Sequence, residues 1–429
     1  MHGQQTADPA HAAPPPMRAL ARARTLLLLL CAAGVTSLNA DWPQFLGPTR
    51  NGIVPGPSPV AWANPGPTTL WKADVGRGFS GPVVAAGRVL LHHRRGNDEV
   101  LEAFDSSSGK SVWRATQPTS YEDDFGFDDG PRGTPSVTGE SVYTFGAEGR
   151  ITCTALADGA LRWTRALGKE LGADKGFFGF ACSPLVVSNR VILQVGGRDG
   201  AGIVALDAAT GATTWKATSD EAGYASPVAV EADGALRIVA LNRAGVRVVD
   251  LRDGKVLAAL PFRSRQNASV NAATPLASPD GVFVTASYDT GAAWLRWRGE
   301  GTLAEGWKHA DALAAHISTP VRRGTLLFGF HGRQEQGAEL RCIRVSDGSI
   351  AWSSPRLGIG SVLVQGERLW VLVETGEIIL AEANDAGWKE LARAQVLGTG
   401  VRAAPALDAG VLYARDKSKL VAVRVAPAR

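Results

Sequence analysis

Three segments of the 429-residue chain carry residue types that could do chemistry. The acidic run Glu122-Asp-Asp-Phe-Gly-Phe-Asp-Asp129 sets four aspartates within seven positions, and calcium is held by such carboxylate and carbonyl oxygens. The spacing is not the Asp-x-Asp-x-Asp-Gly of a helix-loop-helix calcium loop, and the two phenylalanines point to packing. The run is therefore expected as a solvated loop with aromatic anchors that pairs Arg132. His92 and His93 are consecutive. On a strand they face opposite ways, which places them poorly for one metal ion, and a surface pair of histidines is expected. Gly196-Gly-Arg-Asp-Gly-Ala-Gly202 lies between two apolar strands and opens no helix, which predicts a loose hairpin and not a phosphate cradle. No Gly-x-Ser-x-Gly elbow, His-Glu-x-x-His helix or Cys-x-x-Cys pair occurs.

The elements that must position any site follow from composition and repetition. Fifty glycines and 24 prolines, with 45% hydrophobic and 20% charged residues, fit many short elements joined by turns and exclude a helical bundle. The formal charge of +4 is spread along the chain, so no nucleic-acid partner is expected. Near the start, Arg18, Arg22 and Arg24 precede an apolar run over residues 26–35 and small residues ending at Ala40. That order is the pattern of a secretory signal peptide over residues 1–40, and the run is too short to span a bilayer. Cleavage there would remove three arginines and one aspartate, lowering the net charge from +4 to +2. Cys153, Cys182 and Cys342 would remain, which permits at most one internal disulfide.

One unit recurs through the rest of the chain. It opens at Gly81-Pro82, Thr134-Pro135, Ser183-Pro184, Ser226-Pro227, Thr274-Pro275, Thr319-Pro320, Ser361-Val362 and Ala404-Pro405, at spacings of 53, 49, 43, 48, 45, 42 and 43 residues. Units close on a glycine turn followed four residues later by tryptophan: Gly109 and Trp113, Gly159 and Trp163, Gly211 and Trp215, Gly348 and Trp352. Glycine supplies positive φ in the hairpin, aspartate bonds nearby N–H groups, and the indole packs on the neighbouring unit. The motif decays at Ala258, and around Trp307 and Trp388. Four strands per unit of 42–53 residues is the period of a β-propeller blade. The eighth unit stops after three strands, while Thr69-Leu-Trp71-Lys-Ala-Asp-Val75 is a tryptophan strand with no unit before it. Together they predict an all-β, eight-bladed propeller over residues 69–429, closed by its N-terminal strand, with residues 41–68 as an arm over the rim.

The Asp-x-x-Thr-Gly-x-x-x-Trp closings and Ser/Thr-Pro openings resemble the PQQ-like β-propeller repeat family, shared by quinoprotein alcohol dehydrogenases and BamB-type proteins. The segments 41–52, 124–132 and 176–184 look like an exported, planctomycete-type branch of it. Dehydrogenases of that family, as the resemblance implies, hold PQQ under adjacent cysteines beside a calcium ion bound by Glu and Asn side chains. This chain has no adjacent cysteines and no haem-attachment motif. No cofactor is therefore expected, with PQQ plus calcium as the alternative.

In a propeller the link between blades passes the channel mouth, so residues three or four before each opening should ring it. They are Phe79, Arg132, Phe180, Tyr224, Asn271, His316, Ile359 and Arg402, with Lys175, Phe177 and Phe178 above them. Aromatic, amide, imidazole and guanidinium groups in one concavity make a ligand site, and the cations favour an anionic guest. The expectation is a monomeric, non-catalytic binding or scaffolding propeller of the cell envelope, periplasmic or secreted, serving envelope proteins or a small anionic ligand. The alternative is a PQQ-dependent or sugar-active oxidoreductase using the funnel. No catalytic or metal-binding residue is assigned.

Overall fold

The computed structural model describes residues 41–63, 65–267 and 269–426; the signal-peptide reading over residues 1–40 lies outside them. The described residues form eight four-stranded antiparallel sheets, with one short helix, Leu167–Glu170, and one 3-10 turn, Gln334–Gln336. Seven sheets are sequential blades over residues 83–118, 136–166, 185–217, 228–261, 276–309, 321–356 and 360–395. The eighth joins both ends of the chain: Thr68–Asp74 pairs with Lys419–Arg424, with Thr68 opposite Arg424 and Asp74 opposite Lys419. This is the eight-bladed ring closed by its N-terminal strand that the repeats predict. No helix among the described residues is long and apolar enough to cross a membrane.

The closing motif works between blades. Each of six indoles donates its N–H to a carbonyl in a turn of the next blade, and five of them, all but Trp352, dock on the glycine of that turn. Trp71 bonds Ser106 O at 2.8 Å, Trp113 bonds Leu156 O at 3.1 Å, and Trp163 bonds Ala208 O at 3.0 Å. Trp215, Trp307 and Trp352 repeat the bond to Leu251, Val345 and Asn384. Gly109 shows why the turn needs glycine: its φ is +69°, and a Cβ would stand 2.5 Å from the Trp71 ring. Burying one indole contributes roughly 4 kcal/mol of transfer free energy. Where blade 4 carries Ala258, the neighbouring turn is rebuilt, and Gly301 rests against Leu257 and Arg237.

A second device explains the Ser or Thr at the openings, which crowding alone does not. Five of the six hydroxyls accept the backbone N–H of the equivalent residue one blade earlier: Gly81 N to Thr134, Thr134 N to Ser183, Ser183 N to Ser226, Ser226 N to Thr274, and Thr274 N to Thr319, at 2.9–3.0 Å. These bonds tie the blades around the channel just below its mouth.

Residues 42–54 of the arm do not lie over the rim, whereas Ser58 and Trp62 beyond them sit on the hairpin at Gly366 and Glu367 and on Trp370. Trp42 O accepts from Val84 N, and Pro43 O accepts from Val137 N. Arg50 donates to the carbonyls of Ser183 and Pro184 at 3.0 Å, and Gly52 and Val54 pair with Val364. The innermost strands of blades 1, 2 and 7 and the opening of blade 3 thus all hold the segment 42–54, which crosses inside the ring. The sequence reason is its apolar content: Trp42, Leu46 and Val54 are buried in one cluster with blades 1, 7 and 8.

Candidate ligand site at the channel mouth

Five of the eight ring positions come together in one cavity. Phe79, Arg132, Tyr224, His316 and Arg402 line one cavity of about 510 Å³, with Phe177 and Phe178. Phe180 and Asn271 do not line it. Phe180 turns into the core of blades 2 and 3, its ring 5.5 Å from Phe145. Asn271 is buried and donates to the carbonyls of Asn242 and Phe262, both at 2.8 Å, so its amide serves as a clamp between links. Ile359 is likewise core, packed between blades 6 and 7. Lys175 stands outside the lining, paired with Asp124 at 2.7 Å.

One half of the mouth is aromatic and cationic. The loop 121–132 folds around Asp123, whose carboxylate accepts Phe125 N at 2.9 Å and Asp128 N at 3.2 Å and pairs with Arg132 at 2.6 Å. Asp129 pairs with Arg77 at 2.6 Å. The four aspartates of the acidic run are thereby engaged by cations and backbone, Asp123 with Arg132 as the loop reading predicts. The loop lifts Phe125 and Phe127, both about half exposed, against Phe178 at 5.2 and 6.0 Å. Arg132 lies 5.4 Å from the Phe79 ring and 5.8 Å from that of Phe178, and its Nη1 has no hydrogen-bond partner. Arg402 lies 5.5 Å from Phe79 and 5.8 Å from Phe127. Its guanidinium makes no ion pair or hydrogen bond with any described residue.

The other half is polar, and sequence reasoning found only His316 of it. The His316 Nε2 and the Tyr288 hydroxyl share a hydrogen bond of 3.0 Å. Arg333 lies 4.5 Å over the Tyr288 ring and pairs with Glu335 at 3.3 Å. Burial foremost, with Arg333 and Arg402 adding to it and Glu335 opposing, holds the His316 imidazole below its ordinary pKa. Its Nδ1 is buried without a partner. Tyr288, Arg333 and Glu335 sit on hairpins between the second and third strands of blades 5 and 6, a position the link-counting rule does not reach. The legible signal was Tyr288-Asp289 at a hairpin tip, where turn residues are usually small.

The histidine pair is not on the surface. His92 and His93 are buried, and each meets a buried carboxylate: His92 with Glu99 at 3.5 Å and His93 with Glu102 at 3.1 Å. The eight-residue strand that carries them packs on both faces, so both alternate positions are core. Among the described residues no group of three His, Cys, Asp or Glu is placed to hold a metal ion. Cys153, Cys182 and Cys342 are free and buried. The adjacent cysteines and calcium-binding carboxylates of the PQQ alternative have no counterpart among the residues that line the mouth. The cavity's acidic lining residue, Glu335, is already paired with Arg333, and no cysteine lines the cavity.

Comparison with known proteins places the chain. Among solved structures it resembles BamB from Moraxella catarrhalis, with a TM-score of 0.60 at 14% identity over 83% of this chain and 97% of that one. It also resembles a quinohemoprotein alcohol dehydrogenase from Pseudomonas putida HK5, with a TM-score of 0.55 at 13% identity over 91% and 81%. The computationally designed Ika8 protein matches with a TM-score of 0.55 at 12% identity over 83% and 98%. An assembly factor, a dehydrogenase and a designed ring share the architecture, so it assigns no activity by itself. Comparison with curated proteins finds no match. The family model described as outer membrane protein assembly factor BamB matches residues 96–354, more than half of the chain, and the protein belongs to that family.

Proposed function

We propose that this chain is a monomeric, non-catalytic binding propeller of the cell envelope that holds a carboxylate-bearing guest at its mouth. The observation that carries the reading is Arg402. Its five N–H donors are unspent, its charge is unpaired, and two phenylalanine rings flank it in a cavity of ligand size. A guanidinium offers a carboxylate two parallel hydrogen bonds, and the low-dielectric rings strengthen them. Arg132 adds the free Nη1 donor, although Asp123 balances its charge. Among the described residues no serine, threonine or cysteine is hydrogen-bonded to His316, whose partner is a phenol. Family membership and the leader-like residues 18–40 support the envelope, where protein partners would meet the blades' exposed outer strands.

Two measurements test this. Thermal-shift screening of the purified chain against millimolar carboxylates of aliphatic, aromatic and sugar type should find a saturable binder that Arg402→Ala abolishes; no shift with any acid overturns the mouth reading. Mass spectrometry of the protein exported by its own leader should find Asp41 as first residue; an uncleaved cytoplasmic chain overturns the envelope reading.

A further inference from the structure

We infer that the guest is an acidic sugar: a pyranose whose carboxylate meets Arg402, whose C–H face lies on the phenylalanines, and whose hydroxyls meet Tyr288, His316 and Glu335. The inference rests on the mouth reading above and narrows it. Each class of guest asks a different set of partners. A phosphate or a simple organic acid asks for donors alone, and an apolar acid asks for donors and rings. Neither has a use for the second half of the mouth. There a phenol and an imidazole that can each donate or accept stand beside a carboxylate acceptor and a guanidinium donor. A sugar hydroxyl is itself both donor and acceptor, so an amphoteric set of this kind suits a ring of hydroxyls. The flat C–H face of a pyranose suits the aromatic half, and only an acidic sugar also answers the unpaired cation.

The backbone supplies a second, independent observation. Ser287, Tyr288, Asp289 and Thr290 form a tight hairpin turn: Thr290 N donates to Ser287 O at 3.3 Å, and the central residues have φ of +56° and +60°. Such turns favour glycine or asparagine because both central residues are left-handed. Elsewhere in the ring, pairs of consecutive left-handed residues comply at their second position: Ala86-Gly87, Ser188-Asn189, Asp233-Gly234 and Ala409-Gly410. At the mouth the second position is Asp289, neither glycine nor asparagine, and the first is Tyr288, the one aromatic among the left-handed described residues, whose hydroxyl lands on His316. Strain of this kind persists where the surroundings hold it and clusters at ligand sites. The buried, unpartnered Nδ1 of His316 lies in the same corner.

The test is a calorimetric titration of the full chain with D-galacturonate, D-galactose and cyclohexanecarboxylate, an acid of the same ring size without hydroxyls. Galacturonate should bind at least tenfold more tightly than either of the others. Tyr288→Phe keeps the ring and the turn but removes the hydroxyl; it should weaken galacturonate about tenfold and leave cyclohexanecarboxylate unchanged. Arg402→Ala should remove both acids. If cyclohexanecarboxylate binds as well as galacturonate, or Tyr288→Phe weakens both acids equally, the sugar inference is overturned while the mouth reading stands. If galactose equals galacturonate, or no acid binds, the mouth reading falls with it.

Discussion

Arg50 and Arg402 stand on opposite sides of the same N-terminal arm, and the difference between them separates structure from site. The arm turns Phe45 and Leu46 toward the mouth cavity, while Thr49 and Arg50 line a second cavity of about 370 Å³ at the other end of the channel. Arg50 is 4% exposed, and its terminal nitrogens donate to Ser183 O, Pro184 O and the Gln44 side chain, each at 3.0 Å. Burial, only partly opposed by the nearby Cys182 thiol, lowers its pKa to about 10, yet it remains charged at neutral pH. Arg402 has no such partners and keeps its donors facing the cavity. A guanidinium whose terminal nitrogens are both engaged locks the arm into the ring; one whose terminal nitrogens meet no described acceptor waits for an acceptor from outside.

The largest expected effect comes from removing the locked side altogether. Deleting residues 41–75 takes away the plug and the strand that closes blade 8, exposing an unpaired edge and the apolar surface of Phe104 and Tyr413 that Trp71 covers. The deletion variant should lose cooperative unfolding in urea, and one that melts like the parent refutes the closure. The two arginines then give the direct contrast. Arg50→Ala leaves the buried Ser183 carbonyl unsatisfied, Pro184 O keeping the Ser136 hydroxyl, and should destabilise the fold by about 2 kcal/mol. Arg402→Ala gives up only cation–π contacts of about 0.5–1 kcal/mol each. Urea midpoints that shift equally for the two variants would erase the distinction.

How far the sequence reached follows the same division. The ring was legible because most blades repeat the same physical requirements: an indole bonded to the next blade's turn at six junctions and a hydroxyl beside the channel at five, so period and motif reinforce one another. Trp307 shows the limit of spacing alone: it departs from the four-residue offset, yet it docks on Gly348 as the others dock on their turns. The mouth was half legible. Counting back from each proline located Arg132, Tyr224, His316 and Arg402, because links of similar length reach similar heights. The count fails at Phe180 and Asn271, where a link turns inward to fill the core or bridge carbonyls, and it cannot reach hairpin residues such as Tyr288 and Arg333. His92 and His93 were misread because alternation places one residue of such a pair outward only when one face of the strand is solvated. In a propeller both faces of an inner strand are covered by neighbouring blades.

Those buried histidines yield a smaller, pH-dependent effect. Burial holds His93 below its ordinary pKa, against the pull of Glu102. The unfolded chain therefore binds a proton near pH 6.5 that the folded chain resists. That contribution to stability is complete above about 6.5 and is lost as the pH falls below it. Burial alone would raise the Glu102 carboxyl, but hydrogen bonds from His93, Arg114 and Ser111 hold it down to about 2. Its contribution is complete above the unfolded value of 4.5 and is lost as the pH falls toward 2. Both run the same way, so the urea midpoint should fall on acidification from pH 7.5, first through the histidine and then through the carboxylate. His93→Gln should cost about 1–3 kcal/mol at pH 7.5 and flatten the curve between pH 7 and 5. An unchanged slope would assign the acid sensitivity to His316 or to the surface.

The smallest effect is the most discriminating, because its sign is opposite to the rest. Asparagine adopts the left-handed backbone that Tyr288 is held in, so Tyr288→Asn relieves about 1 kcal/mol of turn strain. Against this it loses the stacking of Arg333 and the bond to His316, worth a similar amount together. The melting temperature should therefore stay level or rise slightly, while binding of an acidic sugar weakens. A substitution that harmed the fold as Arg50→Ala does would place Tyr288 with the locked side of the arm, as a packing residue. One that leaves the fold intact and empties the mouth places it with Arg402, where backbone strain is retained for the sake of what the side chain meets.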